Sequence, residues 1–291
     1  MMKSCLISIL VSLVSFTAAW GQASGTQVTE TDSTLTLRNS KVRVEFPKGE
    51  AFDISKLTLN GKELVLSKGY NTVPWTLTYK GPQGENPVLF PSHGEYAGWA
   101  KTTKDGHVAI AFKWNMRLTY QDLVPVVMTV SLPGDSELAY WDIQAGTPDG
   151  WLVSNTQFPR ITVTRPDKAK LITSAGWGAE YNLSNPQVYT SSYPSVTGSM
   201  QLLLLHNPDG SVYYATEDRE ACGKDFRAAV GDKSVTLLTD IVASEGWSDH
   251  TSKTFTLPWP TVIGYSHLGW QDAATNGIVL LRLPPNGEAN R

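Results

Sequence analysis

Cysteine is nearly absent from this 291-residue chain, with Cys5 and Cys222 its only two. Cys5 falls inside an N-terminal export signal, so Cys222 stands alone in the exported chain. That excludes an intramolecular disulfide and a cysteine metal cluster. Despite Lys224 nearby, Cys222 reads as a half-buried residue at a strand end rather than a reactive thiol. Charge is scarce as well: 18% of residues are Asp, Glu, Lys or Arg, and the net charge is −3. The basic residues are scattered, so neither nucleic acid nor a membrane surface finds a polybasic patch. Beyond the export signal no apolar run is long enough to span a bilayer. No long stretch spaces its apolar residues at i, i+3, i+4, i+7, which removes extended amphipathic helices. Also missing are a Gly-rich phosphate loop, a Gly-x-Ser-x-Gly nucleophile elbow and a helix-borne His-x-x-x-His pair. No cofactor and no metal ion is expected.

What is present begins with that export signal. Lys3 supplies a positive start, Leu6 to Phe16 an apolar core, and Gly21-Gln22-Ala23 the small residues of a cut after Ala23. The expected product is secreted or periplasmic. Hydrophobic content of 41% supports a sizeable core, and the chain carries ten Trp and eleven Tyr. Most such rings belong in a core or on a sheet, but the same composition suits stacking on sugar rings.

A period of two dominates the pattern. Leu35 and Leu37 alternate with Thr34, Thr36 and Arg38, and Val42, Val44 and Phe46 resume the alternation after Asn39-Ser40. Ile54 to Leu59, Asn60-Gly61-Lys62 and Glu63 to Leu66 read as a hairpin, because Asn and Gly both tolerate positive φ. Further strands are expected at 75–79, 107–118, 124–132, 137–145, 158–163, 170–174, 200–206, 211–216, 234–243 and 254–257. Asn207-Pro208-Asp209-Gly210 is a second hairpin turn. About fifteen strands with turn residues between them predict an all-β chain. No linker divides it, so one extended two-sheet antiparallel sandwich is expected.

Three passages carry a family resemblance. They are Asn39 to Val65, the hairpin from Met200 to Asp218, and Leu257-Pro258-Trp259-Pro260 followed by Gly269-Trp270-Gln271-Asp272-Ala273-Ala274. The first is similar to the opening hairpins of galactose-mutarotase-like supersandwiches, which precede barrels in several glycosidase families, endo-α-N-acetylgalactosaminidases among them. The succession resembles the sandwich before the catalytic (β/α) barrel in a secreted, Bacteroidetes-like family of glycoside-hydrolase-like proteins. The resemblance implies a signal peptide over 1–23, a lead over 24–33, a supersandwich over 34–265, and over 266–291 the start of a linker to a barrel. Only seventeen residues follow Ala274, so the barrel, and with it the catalytic acid and base, is expected to lie outside this chain. The implied partners are a glycan and that barrel domain.

Glycoside hydrolysis uses two carboxyl groups facing each other across the scissile bond. Candidates are Glu95, Asp142, Glu180, Glu217, Asp218, Glu220, Asp225 and Asp240, and spacing alone does not pair them. Glu217-Asp218-Arg219-Glu220 reads as a solvated loop. A mutarotase would instead need a His and a carboxylate, with His93, His107, His206, His250 and His267 available; His206 reads as a hydrogen-bonded structural residue. For carbohydrate binding the strongest stretch is Ser174 to Asn182, where glycines flank Trp177 and Glu180, Tyr181 and Asn182 follow. An exposed ring beside such polar groups stacks on a sugar face while they bond its hydroxyls. Trp99 after Gly98 and Tyr193 before Pro194 are weaker versions of that arrangement. Trp141 reads as core.

Overall fold

The computed structural model describes residues 25–48, 54–64, 66, 72–120, 122–175, 178–242, 253–269 and 271–272. The proposed signal over 1–23, Trp177, His250 and the residues after Asp272 lie outside them.

The chain is all-β, as its alternation predicts. It opens with β1 (Gln27–Glu30), β2 (Thr34–Arg38), β3 (Val42–Pro47), β4 (Lys56–Leu59) and β5 (Lys62–Leu64), an antiparallel meander in sequence order. The stretch read as a lead thus contains β1, which pairs along β2. Leu35 and Leu37 face Phe46 and Val44 across the β2–β3 ladder, and all four are buried. Asn60 and Gly61 take φ of 47° and 77°, the doubly positive turn the sequence predicts for the β4–β5 hairpin.

The remaining strands alternate between two sheets. They are β6 (Thr76–Lys80), β7 (Val88–Leu89), β8 (Gly94–Lys104), β9 (His107–Arg117), β10 (Leu123–Leu132), β11 (Ala139–Gly146), β12 (Leu152–Gln157), β13 (Ile161–Thr164), β14 (Lys170–Thr173) and β15 (Ala179–Asn182). Then come β16 (Gln187–Tyr193), β17 (Leu202–Asn207), β18 (Gly210–Thr216), β19 (Lys224–Val230), β20 (Ser234–Val242), β21 (Thr254–Thr256) and β22 (Thr261–Ser266). A ten-stranded sheet runs β15-β14-β17-β18-β22-β11-β10-β9-β8, with β21 also pairing β11. A seven-stranded sheet runs β16-β19-β20-β12-β6-β7, with β13 also on β20.

Two layers result from these three sheets. The ten-stranded sheet is one layer. Both smaller sheets pack on its inner face, and the Leu66–Val163 bridge joins them edge to edge. Phe46 meets Phe112 at 4.5 Å and Trp141 at 6.4 Å, while Trp75 meets Trp114 at 5.5 Å between ring centroids. Trp141 is fully buried, as its place in the alternation requires. Burial of these rings together with the many aliphatic side chains around them drives the closing of the two layers.

Proline interrupts a strand in each layer. Both β12 and β13 pair with β20, and the chain leaves the ladder between them at Phe158-Pro159-Arg160. Pro159 has no N–H to donate. Tyr214, reaching across from the ten-stranded sheet, fills the gap: its hydroxyl accepts from Thr239 N at 2.9 Å and donates to Pro159 O at 2.8 Å. In the other layer β21 and β22 share the edge of β11 in the same way. Between them Pro258-Trp259-Pro260 turns out of the sheet.

Candidate functional site

A cleft of about 700 Å³ opens beside the second interruption. On β11, Trp141 and Ile143 point into the core, so Tyr140 and Asp142 stand on the opposite face. Ser131 of β10 lies beside Tyr140 in the ladder, on that same outer face. The end of β18 brings Glu217 over them, held by a bond from Glu217 N to Pro260 O at 3.1 Å. The β8–β9 turn contributes Asp105 and His107, and Arg219 and Glu220 close the rim. A volume of this size falls in the range of small-molecule sites.

The electrostatics follow from partial burial. The Asp142 carboxyl is pushed up to about 6, chiefly by burial; Lys104, 3.9 Å away, pulls it down and Asp105 pushes it up. Glu217 is raised in the same direction, again by burial first, and the Asp142 charge adds to it. Its hydrogen bond with the Tyr140 hydroxyl and the nearby Arg219 work against the rise. Ser131 is 3% exposed and lines the cleft, and its hydroxyl has no hydrogen-bond partner among the described residues.

One wall of the cleft rests on a buried ion pair. Lys224 opens β19 with its side chain fully buried, and its Nζ donates to Asp218 Oδ2 at 2.6 Å, Cys222 O at 2.8 Å and Gln201 Oε1 at 3.0 Å. All three ammonium protons are therefore used. The ammonium also lies 4.3 Å from the Trp259 ring centroid and 5.1 Å from that of Tyr193. Asp218 accepts from Glu220 N and Cys222 N as well, which curls the 217–223 loop around it. The solvated-loop reading therefore holds for the exposed Arg219 and Glu220 but fails for Asp218, which is 3% exposed. A buried lysine needed that carboxylate as its counter-ion. Cys222 is half-buried at the strand entry, as expected.

The carbohydrate candidates read from the sequence do not converge. Glu180, Tyr181 and Asn182 sit on β15 at one edge of the ten-stranded sheet, and Trp99 on β8 at the other. Eight strand spacings separate those edges, roughly 38 Å along the sheet. Glu180 is paired with Lys170 at 2.5 Å, and Tyr181 packs against Tyr189 with centroids 5.0 Å apart. Asn182 is exposed and its carbonyl accepts from the Tyr189 hydroxyl. Trp99 is half-buried against the core. Tyr193 ends β16 in the other layer and stacks over Lys224. Among the histidines, His206 bonds Ser211 Oγ at 2.9 Å, as expected of a structural residue, while His107 lines the cleft.

Of the eight carboxylate candidates, the fold gathers Asp142, Glu217, Asp218 and Glu220 in the cleft. Asp225 and Asp240 share Arg227 on the seven-stranded sheet, and Glu95 lies exposed on β8. Sequence reasoning missed Tyr140, Ser131, Asp105 and Trp259 as cleft residues. The one local signal for them was the Pro258-Trp259-Pro260 break within an otherwise strand-like run.

The chain resembles known proteins both in sequence and in fold. The chain is 37% identical over 271 residues to a Bacteroides thetaiotaomicron protein named "Putative glycoside hydrolase", a match covering 92% of this chain and 40% of that protein. The chain thus spans about two fifths of the length of this relative. No family model matches. Among solved structures, it resembles the α-N-acetylgalactosaminidase NagBb of Bifidobacterium bifidum in complex with Gal-NHAc-DNJ. The TM-score is 0.60 at 9% identity, over 83% of this chain and 37% of that one. It also resembles a TPR-domain containing protein of Parabacteroides distasonis, with a TM-score of 0.51 at 9% identity over 87% of this chain and 49% of the other. At such identities the likeness establishes the sandwich fold alone.

Proposed function

We propose that this chain is the non-catalytic β-sandwich portion of a secreted glycoside hydrolase acting on oligo- or polysaccharides, and that its cleft contacts the glycan. The sequence match supports the class: nearly the whole chain aligns with a minor part of a longer protein named as a glycoside hydrolase. The observation that carries the non-catalytic role is this alignment, in which a chain folded as one sandwich matches 40% of the longer relative. A hydrolytic pair needs environments that push two carboxyls apart, one protonated as acid and one ionised as base or nucleophile. Here burial raises both Asp142 and Glu217. Both can accept hydrogen bonds from sugar hydroxyls. The N-terminal sequence from Lys3 to Ala23 supports secretion.

The test is a panel of aryl glycosides and oligosaccharides incubated with the full chain. Released sugar should not exceed the blank, while calorimetric titration should detect glycan binding that weakens at least about fivefold in Asp142→Ala, the loss of one to two hydrogen bonds to a charged group. Turnover abolished by Asp142→Asn or Glu217→Gln would overturn the non-catalytic role. One observation favours a second reading, sugar mutarotation: His107 shares the cleft with both carboxylates. Polarimetry on freshly dissolved galactose or glucose decides that case.

A further inference from the structure

From the charge and shape of the cleft we infer that it selects uncharged saccharides and rejects anionic ones such as uronates and sulfated sugars. This rests on the carbohydrate-contacting role proposed above and narrows its ligand.

Five carboxylates line the cleft, Asp105, Asp142, Glu217, Asp218 and Glu220, against one guanidinium, that of Arg219. Two lysines approach them: Lys224 neutralises Asp218, which leaves four carboxylates, and Lys104 is 38% exposed at the rim. Lys224 is sealed beneath the wall with its three protons committed to Asp218, Gln201 and Cys222. Lys104 is shared between Asp105 at 3.6 Å and Asp142 at 3.9 Å. A carboxylate or sulfate entering the cleft would meet carboxylates on the β8–β9 turn, on β11 and on the 217–220 loop, with Arg219 and the shared Lys104 to answer it. A neutral sugar presents hydroxyl donors, which those same groups accept.

The acidic rim alone would not define a site; the floor does. Ser131 is nine-tenths buried beneath the cleft, on the outer face of β10, and its hydroxyl has no partner among the described residues. A hydroxyl both donates and accepts, and this one opens onto the cleft, where a ligand can take the place of water. An uncharged hydroxyl group of a ligand satisfies it in either sense. An anionic oxygen would use only its donor and would bring charge against Asp142 and Glu217.

The experiment titrates the full chain at pH 7 and low salt with neutral galacto- and gluco-oligosaccharides and with oligogalacturonates of matched length. Neutral sugars should bind at least about tenfold more tightly. Asp105→Asn combined with Glu220→Gln should cut that preference at least about threefold by raising uronate affinity more than it changes that of neutral sugars. Both positions are exposed, and Asn tolerates the positive φ of 50° at position 105. Raising the salt to about 0.5 M should shrink the preference too, since exposed charges are screened over a few ångströms there. Ser131→Ala should weaken neutral binding without restoring the uronates. Equal or tighter uronate binding would overturn the selectivity yet leave the carbohydrate role standing. Absence of binding by either class would overturn both.

Discussion

Asp142 is held where its charge is unwelcome. Its folded-state value near 6 lies above the ordinary value of 3.8, so the fold favours the protonated acid. Below pH 3.8 both folded and unfolded chains carry the proton, and the group is neutral in its effect on pH dependence. As pH rises from 3.8 to 6, the unfolded chain ionises while the folded one resists, and stability is lost through that window. Asp142→Asn, which is never charged, should therefore stabilise the chain at pH 7.5 by about 1–3 kcal/mol and give no such advantage at pH 3.5. Thermal denaturation at the two pH values checks this; a variant less stable than the parent at pH 7.5 would contradict it. Lys224 shows the opposite solution. It too is buried, with its ammonium pulled toward neutrality by desolvation, but it is given a carboxylate, an amide oxygen, a carbonyl and two rings. The cleft leaves its carboxyls under-compensated, whereas the wall compensates its cation fully.

At the scale of the element, the two proline interruptions explain much of what was and was not legible. Alternation located β2, β3, β9, β10 and β18 because one or both of their faces are apolar. Asn60-Gly61 and Asn207-Pro208-Asp209-Gly210 located their hairpins because each turn demands a special φ; Gly210 sits at 145°, where a Cβ would also lie 2.4 Å from Ser266 O. Other strands left little trace. β8 is an edge strand rich in Gly, Ala, Thr and Lys with none of its residues buried, and β19 starts on a buried lysine that reads as a surface residue. β22 is hidden behind Pro260, and only its place between β18 and β11 makes it central. The cleft was illegible for a related reason. Tyr140 and Asp142 meet Glu217 through strands about 75 residues apart in sequence, and single-chain spacing holds no record of that pairing.

Tyr214 is the element-scale counterpart of a missing strand. Tyr214→Phe would remove the acceptor for Thr239 N and the donor to Pro159 O, both buried. The expected loss is about 1–3 kcal/mol, the usual effect of stranding buried polar groups. Urea denaturation should show a lower midpoint with an unchanged slope. A variant as stable as the parent would mean that the gap closes without the hydroxyl.

Across the whole molecule, protection should follow position in the ten-stranded sheet. β17, β18 and β22 are buried on both faces: Leu203, Leu205 and Tyr214 face the main core, while Leu204, Tyr213 and Val262 belong to a second apolar cluster on the outer side. Their amides should exchange near the global unfolding limit, whereas those of β8 and β15 at the two edges should exchange by local opening. Hydrogen-exchange mass spectrometry reads this directly; a protected β15 and an open β18 would refute it. Most of this architecture was readable from the sequence as a class, an all-β sandwich, although the division of the second layer into two sheets joined at Leu66–Val163 was not. Nothing in the alternation of either strand marks that bridge, because it joins the ends of distant segments.

The Pro258-Trp259-Pro260 excursion has a consequence for how such a chain diverges. Its two prolines withhold their donors over three residues only, and β11 grips the strand on either side. Yet Trp259 is buried in the main core over Lys224, and Pro260 O holds Glu217 N, so an exchange in this turn reaches the core and the cleft together. The shape of the cleft is thereby tied to the packing beneath it through a single indole ring.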